Sequence, residues 1–181
     1  MLVRPLVICL LIGLASVLSV SGAEDWPAVL RLARLPGPAP GFTLRAVEDG
    51  AVVSNADFAG RLIVLHFWAT WCEPCRHELP ALAGLSASVA DTPIAIVMVA
   101  VDEDVTGSAV AAFARGLGVH LPTYLAADGD VPEALWTWGV PVTYLIGTDG
   151  ALIGRMRGPR PWQDAKLQEA LEALAGSGGR D

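Results

Sequence analysis

Cys72 and Cys75 are separated by two residues, and their side chains are suited to redox chemistry. They lie in the segment Trp71-Cys72-Glu73-Pro74-Cys75, directly after the apolar run 62–68, which is typical of a strand buried on both faces. A helix that begins at Cys72 places this sulfur beside unpaired backbone N–H groups and the positive end of the helix dipole. That environment favours the thiolate, which is the species that attacks disulfides. The pattern therefore predicts thiol–disulfide exchange.

Other uses of a cysteine pair fit this segment less well. A structural disulfide stabilises most when it closes a long loop, and these two cysteines close a short one. Covalent haem attachment needs a histidine directly after the second cysteine, where this chain has Arg76. Structural zinc needs four ligands. Soft thiolates suit Cu(I), so a copper-binding chaperone is the alternative function. For the redox function we expect no metal and no cofactor beyond the disulfide Cys72–Cys75.

The amino terminus predicts export. Residues 1–23 combine Arg4, an apolar stretch at 6–20 and the small residues of Ser21-Gly22-Ala23, which is the pattern of a cleaved signal peptide. The apolar stretch is at the short end for a membrane span, so an uncleaved anchor is the alternative. Both interpretations place the domain in the periplasm or at the extracytoplasmic face of a bacterial membrane.

Composition limits the number of domains and the partners. The 181 residues allow one domain, and the apolar fraction of 53% is enough for a sizeable core. The net charge of -7 and the pI near 4.8 argue against nucleic acid as a partner, because nucleic-acid binding needs a basic face.

The order of predicted elements indicates an α/β fold with a mixed sheet and helices on both faces. The segment 24–38, rich in proline and glycine, is predicted to be a linker, and 176–181 a flexible tail. Asp49-Gly50 and Asp149-Gly150 are turn signals of two hairpins. The other predicted elements are strands at 62–68, 94–101, 124–126, 142–146 and 151–156, and helices at 72–89, 106–117, 131–138 and from Pro161 onward.

Several segments resemble the exported thioredoxin-fold reductases of the TlpA/ResA type. They are the motif Phe67-Trp68-Ala69-Thr70-Trp71-Cys72-Glu73-Pro74-Cys75-Arg76 with Glu78 and Pro80, the hairpin segment Ala39–Leu44, and the cis-proline segment Gly139–Ile146. The resemblance covers about residues 39–175. It implies a thioredoxin-like domain there, with an N-terminal β-hairpin and a central insertion. A peroxiredoxin is disfavoured, because Leu65 and Ala69 stand where that family places Pro and Thr or Ser.

The resemblance and the helix geometry together imply roles around the motif. Cys72 is expected to be the exposed nucleophile, and Cys75 the more buried cysteine that resolves the mixed disulfide. Glu78, on the same helical face, is expected to accept the proton of Cys75, the alternative being a solvated carboxylate. Glu73 and Pro74 are expected to tune the couple, since a carboxylate beside Cys72 raises the pKa of its thiol and makes the pair more reducing. Alternatively, Glu73 only complements the helix dipole.

A substrate groove is expected beside the motif. Its predicted lining residues are Trp71, Val140, Pro141 and Thr143. The resemblance implies a cis peptide bond before Pro141, and the backbone of Val140 is expected to pair with an extended substrate. The expected partners are a protein disulfide and a membrane thiol electron donor. The resemblance implies clients such as an apocytochrome c or a copper chaperone.

The chain departs from thioredoxins at His66, where those proteins place a buried Asp. Glu78 is the expected substitute for proton handling. An isolated histidine in an apolar strand is expected to be buried with its polar atoms satisfied. Trp68 is expected in the core and Trp71 as an exposed groove wall, and no role is predicted for Trp136 and Trp138.

Overall fold

The computed structural model describes residues 26–132, 135 and 139–177. The predicted signal peptide or anchor, the end of the predicted tail and most of the predicted helix at 131–138, with Trp136 and Trp138, lie outside the described residues. The described α-helices are α1 (Trp26–Leu30), α2 (Glu73–Ser88), α3 (Gly107–Gly116) and α4 (Ala165–Ser177). The strands are β1 (Ala33–Pro38), β2 (Thr43–Arg45), β3 (Val52–Ser54), β4 (Leu62–Trp68), β5 (Ile94–Ala100), β6 (Thr123–Leu125), β7 (Val142–Ile146) and β8 (Ala151–Arg157).

A six-stranded mixed sheet organises these elements. Its strand order is β1-β8-β7-β4-β5-β6, and β2 pairs with β3 in a separate hairpin. The central strand β4 runs parallel to β5 and antiparallel to β7, and all seven of its residues are buried. The register places His66 directly opposite Thr143 on β7. These two side chains therefore point to the same face of the sheet.

The described α-helices α1 to α4 cover one face of the sheet, and most of the further helix predicted at 131–138 lies outside the described residues. Leu30, Leu79, Val110 and Leu171, one from each helix, belong to a single apolar cluster with alternate residues of β4 and β5. The opposite face packs against the β2–β3 hairpin and Leu135. The strands β4, β5 and β6 are neighbours in chain order and run parallel. Because crossovers between parallel strands are right-handed, α2 and α3 must lie on the same side.

The segment predicted to be a linker is part of the fold from residue 26 onward, which corrects the prediction for 24–38. Residues 26–30 form α1, whose Leu30 is fully buried, and β1 pairs antiparallel with β8. The pairing is irregular between Arg34 and Gly37, and β1 ends at Pro38. Proline is tolerated on an edge strand, because the N–H groups on the outer side of that strand have no partner strand to bind. Pairing with the edge of β8 therefore stabilises β1, which has no apolar pattern of its own.

The remaining boundaries follow local sequence signals. Cys72 is the N-cap of α2 and Thr106 the N-cap of α3, so both helices begin where the sequence predicts. The predicted tail is helical as far as Ser177. Within the part of the chain that the structure describes, no helix is long and apolar enough to cross a membrane.

Candidate active site

Cys72 and Cys75 are joined by a disulfide at the N-terminus of α2. The backbone N–H of Cys75 donates to Cys72 Sγ over 3.2 Å, and Pro74 lies in the first turn, where it removes no helical hydrogen bond. The N–H groups of this turn and the helix dipole both favour negative charge on Cys72 once the disulfide opens. The helix N-terminus predicted beside Cys72 is therefore present.

The two cysteines differ less in exposure than the sequence suggests. Cys72 is 4% exposed and Cys75 is fully buried in the disulfide form. The prediction of an exposed Cys72 is wrong for this form, because residues of the surrounding apolar cluster pack around the disulfide. Cys72 is nevertheless the more accessible of the two. The exposed neighbour is Trp71, at 68%.

The loop before the motif is held by the end of β5. Asp102, which is buried, accepts hydrogen bonds from the backbone N–H and from the hydroxyl of Thr70. These bonds tie the active-site loop to the neighbouring parallel strand. Asp102 is not among the residues predicted from the sequence, although a polar residue directly after an apolar strand is a signal that points to it.

Glu78 is buried, which excludes the alternative of a solvated helix carboxylate. It is 5% exposed, and its Oε2 accepts from the backbone N–H of Arg160 over 2.9 Å and from Nε1–H of Trp162 over 2.8 Å. Burial raises the pKa of this carboxyl to about 7, although both hydrogen bonds and the charge of Arg160 act in the opposite direction. Glu78 can therefore exchange a proton near neutral pH, one helical turn from Cys75.

His66 lies behind Glu78 in β4 and is fully buried. Its Nδ1 is 2.9 Å from Oγ1 of Thr143, and its Nε2 is 3.8 Å from Oε1 of Glu78. Burial lowers the pKa of the imidazole to about 3, so the ring is neutral at physiological pH. The expectation of a fully satisfied histidine is wrong, because Nε2 has no hydrogen-bond partner.

One predicted groove residue, Thr143, lies in the core instead. Thr143 is buried and its hydroxyl faces His66, so it does not line a substrate groove. The reason is the register of β7 on β4, which places this side chain on the face covered by helices.

Two of the other predicted groove residues, Trp71 and Val140, lie beside the motif, whereas Pro141 is buried and does not line the cleft there. A cleft of about 450 Å³ is lined by Trp71, Val140 and the loop after β5, which carries Asp102, Glu103 and Asp104. The peptide bond between Val140 and Pro141 is cis, as the resemblance implied. A second cleft, of about 540 Å³, opens between the start of α2 and residues 159–161 and reaches Glu78. It offers a route by which this buried carboxyl can exchange protons with solvent.

Glu73 is exposed at the first position of α2, where its Oε1 lies 3.9 Å from Nε2 of the exposed His77. An exposed carboxylate acts through solvent, so its effect on Cys72 is screened. Among the described residues, no group of three or more His, Cys, Asp or Glu side chains is placed to hold a metal ion. The arrangement is a cysteine pair with a buried carboxyl behind it and a cleft on either side.

Comparison with known proteins agrees with this chemistry. The model of the AhpC/TSA family matches residues 36–154. The thiol-disulfide oxidoreductase ResA of Bacillus thuringiensis subsp. konkukian is 29% identical over 136 residues, which are 75% of this chain and 76% of that protein. The ResA of Bacillus subtilis is 34% identical over 115 residues, which are 64% of this chain and 63% of that protein.

The fold has solved relatives as well. A structure described as a thiol:disulfide interchange protein DsbE from Chlorobium tepidum superimposes with a TM-score of 0.67 at 28% identity, covering 80% of this chain and 99% of that one. The resemblance seen in the sequence and the thioredoxin-like fold are thereby confirmed. The chain belongs to the AhpC/TSA family and is a thioredoxin-like enzyme of the thiol–disulfide oxidoreductase class.

Proposed function

We propose that this protein is an exported reductant of protein disulfides. The observation that carries the proposal is a redox disulfide at a helix N-terminus with a buried carboxyl, whose pKa is about 7, one turn further along the helix. A carboxyl of this kind can accept the proton of the resolving cysteine at neutral pH. Export rests on the signal-like residues 1–23. The reducing direction rests on the resemblance to the TlpA/ResA-type reductases and, to a smaller extent because solvent screens it, on Glu73 beside Cys72.

The reaction runs in two exchanges. The Cys72 thiolate attacks one sulfur of the client disulfide, so a mixed disulfide forms and the first client thiolate leaves. Cys75 then transfers its thiol proton to Glu78, and the Cys75 thiolate attacks Cys72 Sγ. The second client thiolate leaves and the Cys72–Cys75 disulfide forms. The client gains two electrons and the enzyme loses two, which a thiol donor at the membrane restores.

The client binds in the cleft beside Trp71 and Val140. The exposed Trp71 ring provides apolar contact area close to the disulfide. The cis peptide bond between Val140 and Pro141 supports pairing of the Val140 backbone with an extended client segment. By resemblance, clients of the kind handled in cytochrome c or cytochrome oxidase maturation fit this role.

A trapping experiment tests the proposal. In the reduced Cys75→Ser variant the mixed disulfide cannot be resolved, so client proteins stay linked to Cys72 and can be identified after non-reducing electrophoresis. The matched control is the double variant Cys72→Ser/Cys75→Ser, which should capture nothing. Capture independent of Cys72 would contradict the assignment of the nucleophile.

Two further measurements separate the alternatives. Titration of the reduced protein with Cu(I) distinguishes a copper chaperone, which would bind the ion tightly through both thiolates and leave model protein disulfides intact. Mass analysis of the mature protein from cell fractions tests export and shows whether residues 1–23 are removed. A full-length chain in the cytoplasm would contradict the exported role.

A further inference from the structure

Two buried polar atoms face each other behind the cysteine pair without a hydrogen-bond partner. They are Nε2 of His66 and Oε1 of Glu78, which lie 3.8 Å apart. The second polar atom of each side chain is occupied, since Nδ1 of His66 meets Thr143 and Oε2 of Glu78 accepts from Arg160 and Trp162. Buried polar atoms are rarely left unpaired, so the facing pair calls for an explanation.

The separation is too long for a hydrogen bond and short enough to close. A movement of about 1 Å brings the two atoms into the usual N–H···O range. The His66 and Trp162 rings meet edge to face at 6.0 Å, so the imidazole plane is held while the longer Glu78 side chain can shift. A contact that forms only when Glu78 carries charge would explain why both atoms are unpaired in the disulfide form.

We propose that His66 is a positioning residue for Glu78, donating a hydrogen bond from Nε2–H to Oε1 of the ionised carboxylate and so favouring its role as proton acceptor. Thr143 sets the tautomer by donating its hydroxyl hydrogen to Nδ1. This inference rests on the proposed role of Glu78.

The chemistry of the neutral ring supports this direction. In the other tautomer the Nε2 lone pair would face the lone pairs of a carboxylate, which is repulsive. The Thr143 hydroxyl can donate or accept, so it allows the favourable tautomer. Because burial keeps the ring neutral, His66 donates a hydrogen bond without adding a charge. The proton of Cys75 still passes to Glu78, and His66 gains and loses none.

The surroundings contain few other charges that could act on Glu78. From the segment before α4, the backbone N–H of Arg160 binds Oε2 and the guanidinium charge favours the carboxylate, whereas Trp162 is uncharged. From β7 the facing group is the Thr143 hydroxyl. On α2 itself, Cys75 titrates after reduction, while Glu73 and His77 are exposed and paired with each other. A pH effect of His66 is therefore transmitted by the hydrogen bond to Glu78.

The test is the pH dependence of protein-disulfide reduction from pH 5 to 9. In His66→Leu we expect the acidic limb of the profile to move to higher pH by about one unit. This shift lowers the rate on that limb by about tenfold and leaves the rate above pH 8.5 unchanged. Thr143→Val should shift the limb in the same direction by less. His66→Gln, which offers an amide N–H in place of Nε2–H, should restore the wild-type limb. Melting temperatures of all variants identify any general loss of folding.

Two measurements keep the proposal falsifiable if a variant folds poorly. Nitrogen NMR of the imidazole in the reduced wild-type protein should show the proton on Nε2 at pH 8, and a proton on Nδ1 would overturn the proposal. In the Glu78→Gln background, His66→Leu should leave the profile unchanged. If Glu78→Gln alone leaves the pH profile unaltered, the proposed role of Glu78 as proton acceptor is contradicted. If Glu78→Gln alters the profile but His66→Leu alone, with Glu78 present, does not, the inference about His66 is overturned while the role of Glu78 stands.

Discussion

The burial of Glu78 predicts that replacing its carboxyl stabilises the oxidised protein at alkaline pH. Glu78→Gln keeps an oxygen that can accept from Arg160 N–H and Trp162 Nε1–H but never ionises. The wild-type carboxyl must ionise in a nearly water-free environment when the pH rises. The variant avoids that cost, so the stability difference between the two proteins should depend on pH.

The magnitude follows from the pKa of Glu78. It rises from 4.5 to about 7 on folding, and one unit of pKa corresponds to about 1.36 kcal/mol. Ionised Glu78 therefore destabilises the folded state by about 3 kcal/mol. Because the folded protein binds the proton more tightly than the unfolded chain, this loss is absent below about pH 4.5. It grows as the pH rises and is complete above about pH 7.

The assay is denaturant unfolding of the oxidised wild-type and Glu78→Gln proteins at pH values from 4.5 to 8.5. Relative to wild type, Glu78→Gln should gain roughly 2–3 kcal/mol between the two ends of this range. Glu169→Gln on α4 is the matched control, because Glu169 is exposed and its replacement should give a nearly flat difference. A difference that stays flat for Glu78→Gln as well would refute the argument that burial perturbs this carboxyl.

Three further outcomes are expected. In the reduced protein at neutral pH, iodoacetamide should alkylate Cys72 well before Cys75, since Cys72 is the less buried thiol at the helix N-terminus, and equal rates in a mass-spectrometric time course would contradict the order of attack. The reduction potential, measured by equilibration with a reference dithiol, should lie nearer to about -270 mV than to about -120 mV. A value near about -120 mV would indicate an oxidant. Trp71→Ala should lower kcat/KM for a protein disulfide by about tenfold through a higher KM, leaving small disulfides unaffected. The exposed Val52 on β3 provides the control for this variant, Val52→Ala, and an equal loss there would refute the groove.

Much of the site follows from sequence because its signals are local. The motif, the apolar strand before it and the capping position of Cys72 lie within 14 consecutive residues, from Leu62 to Cys75. Backbone capping and strand burial act over such short distances, so their pattern is visible in the chain. The cis bond before Pro141 also followed, although through family resemblance rather than through any local rule.

The chain alone did not show what surrounds Glu78. Its contact with Trp162 joins residues 84 apart, and Thr143 meets His66 only because β7 pairs with β4 in one particular register. A helical carboxylate has the same local pattern whether it faces solvent or the core. Its pKa depends on which groups the fold packs against it, and those come from distant segments.

The amino-acid sequence by itself therefore determined the reacting pair, the order of the central strands and helices, and the chemistry of exchange. Tertiary structure decided that 26–38 complete the sheet edge, that Thr143 belongs to the core and that Glu78 is buried. The physical reason is the distance along the chain over which each kind of interaction acts. Helix caps, turns and apolar periodicity act between neighbours in the chain, whereas desolvation and edge pairing depend on neighbours in space.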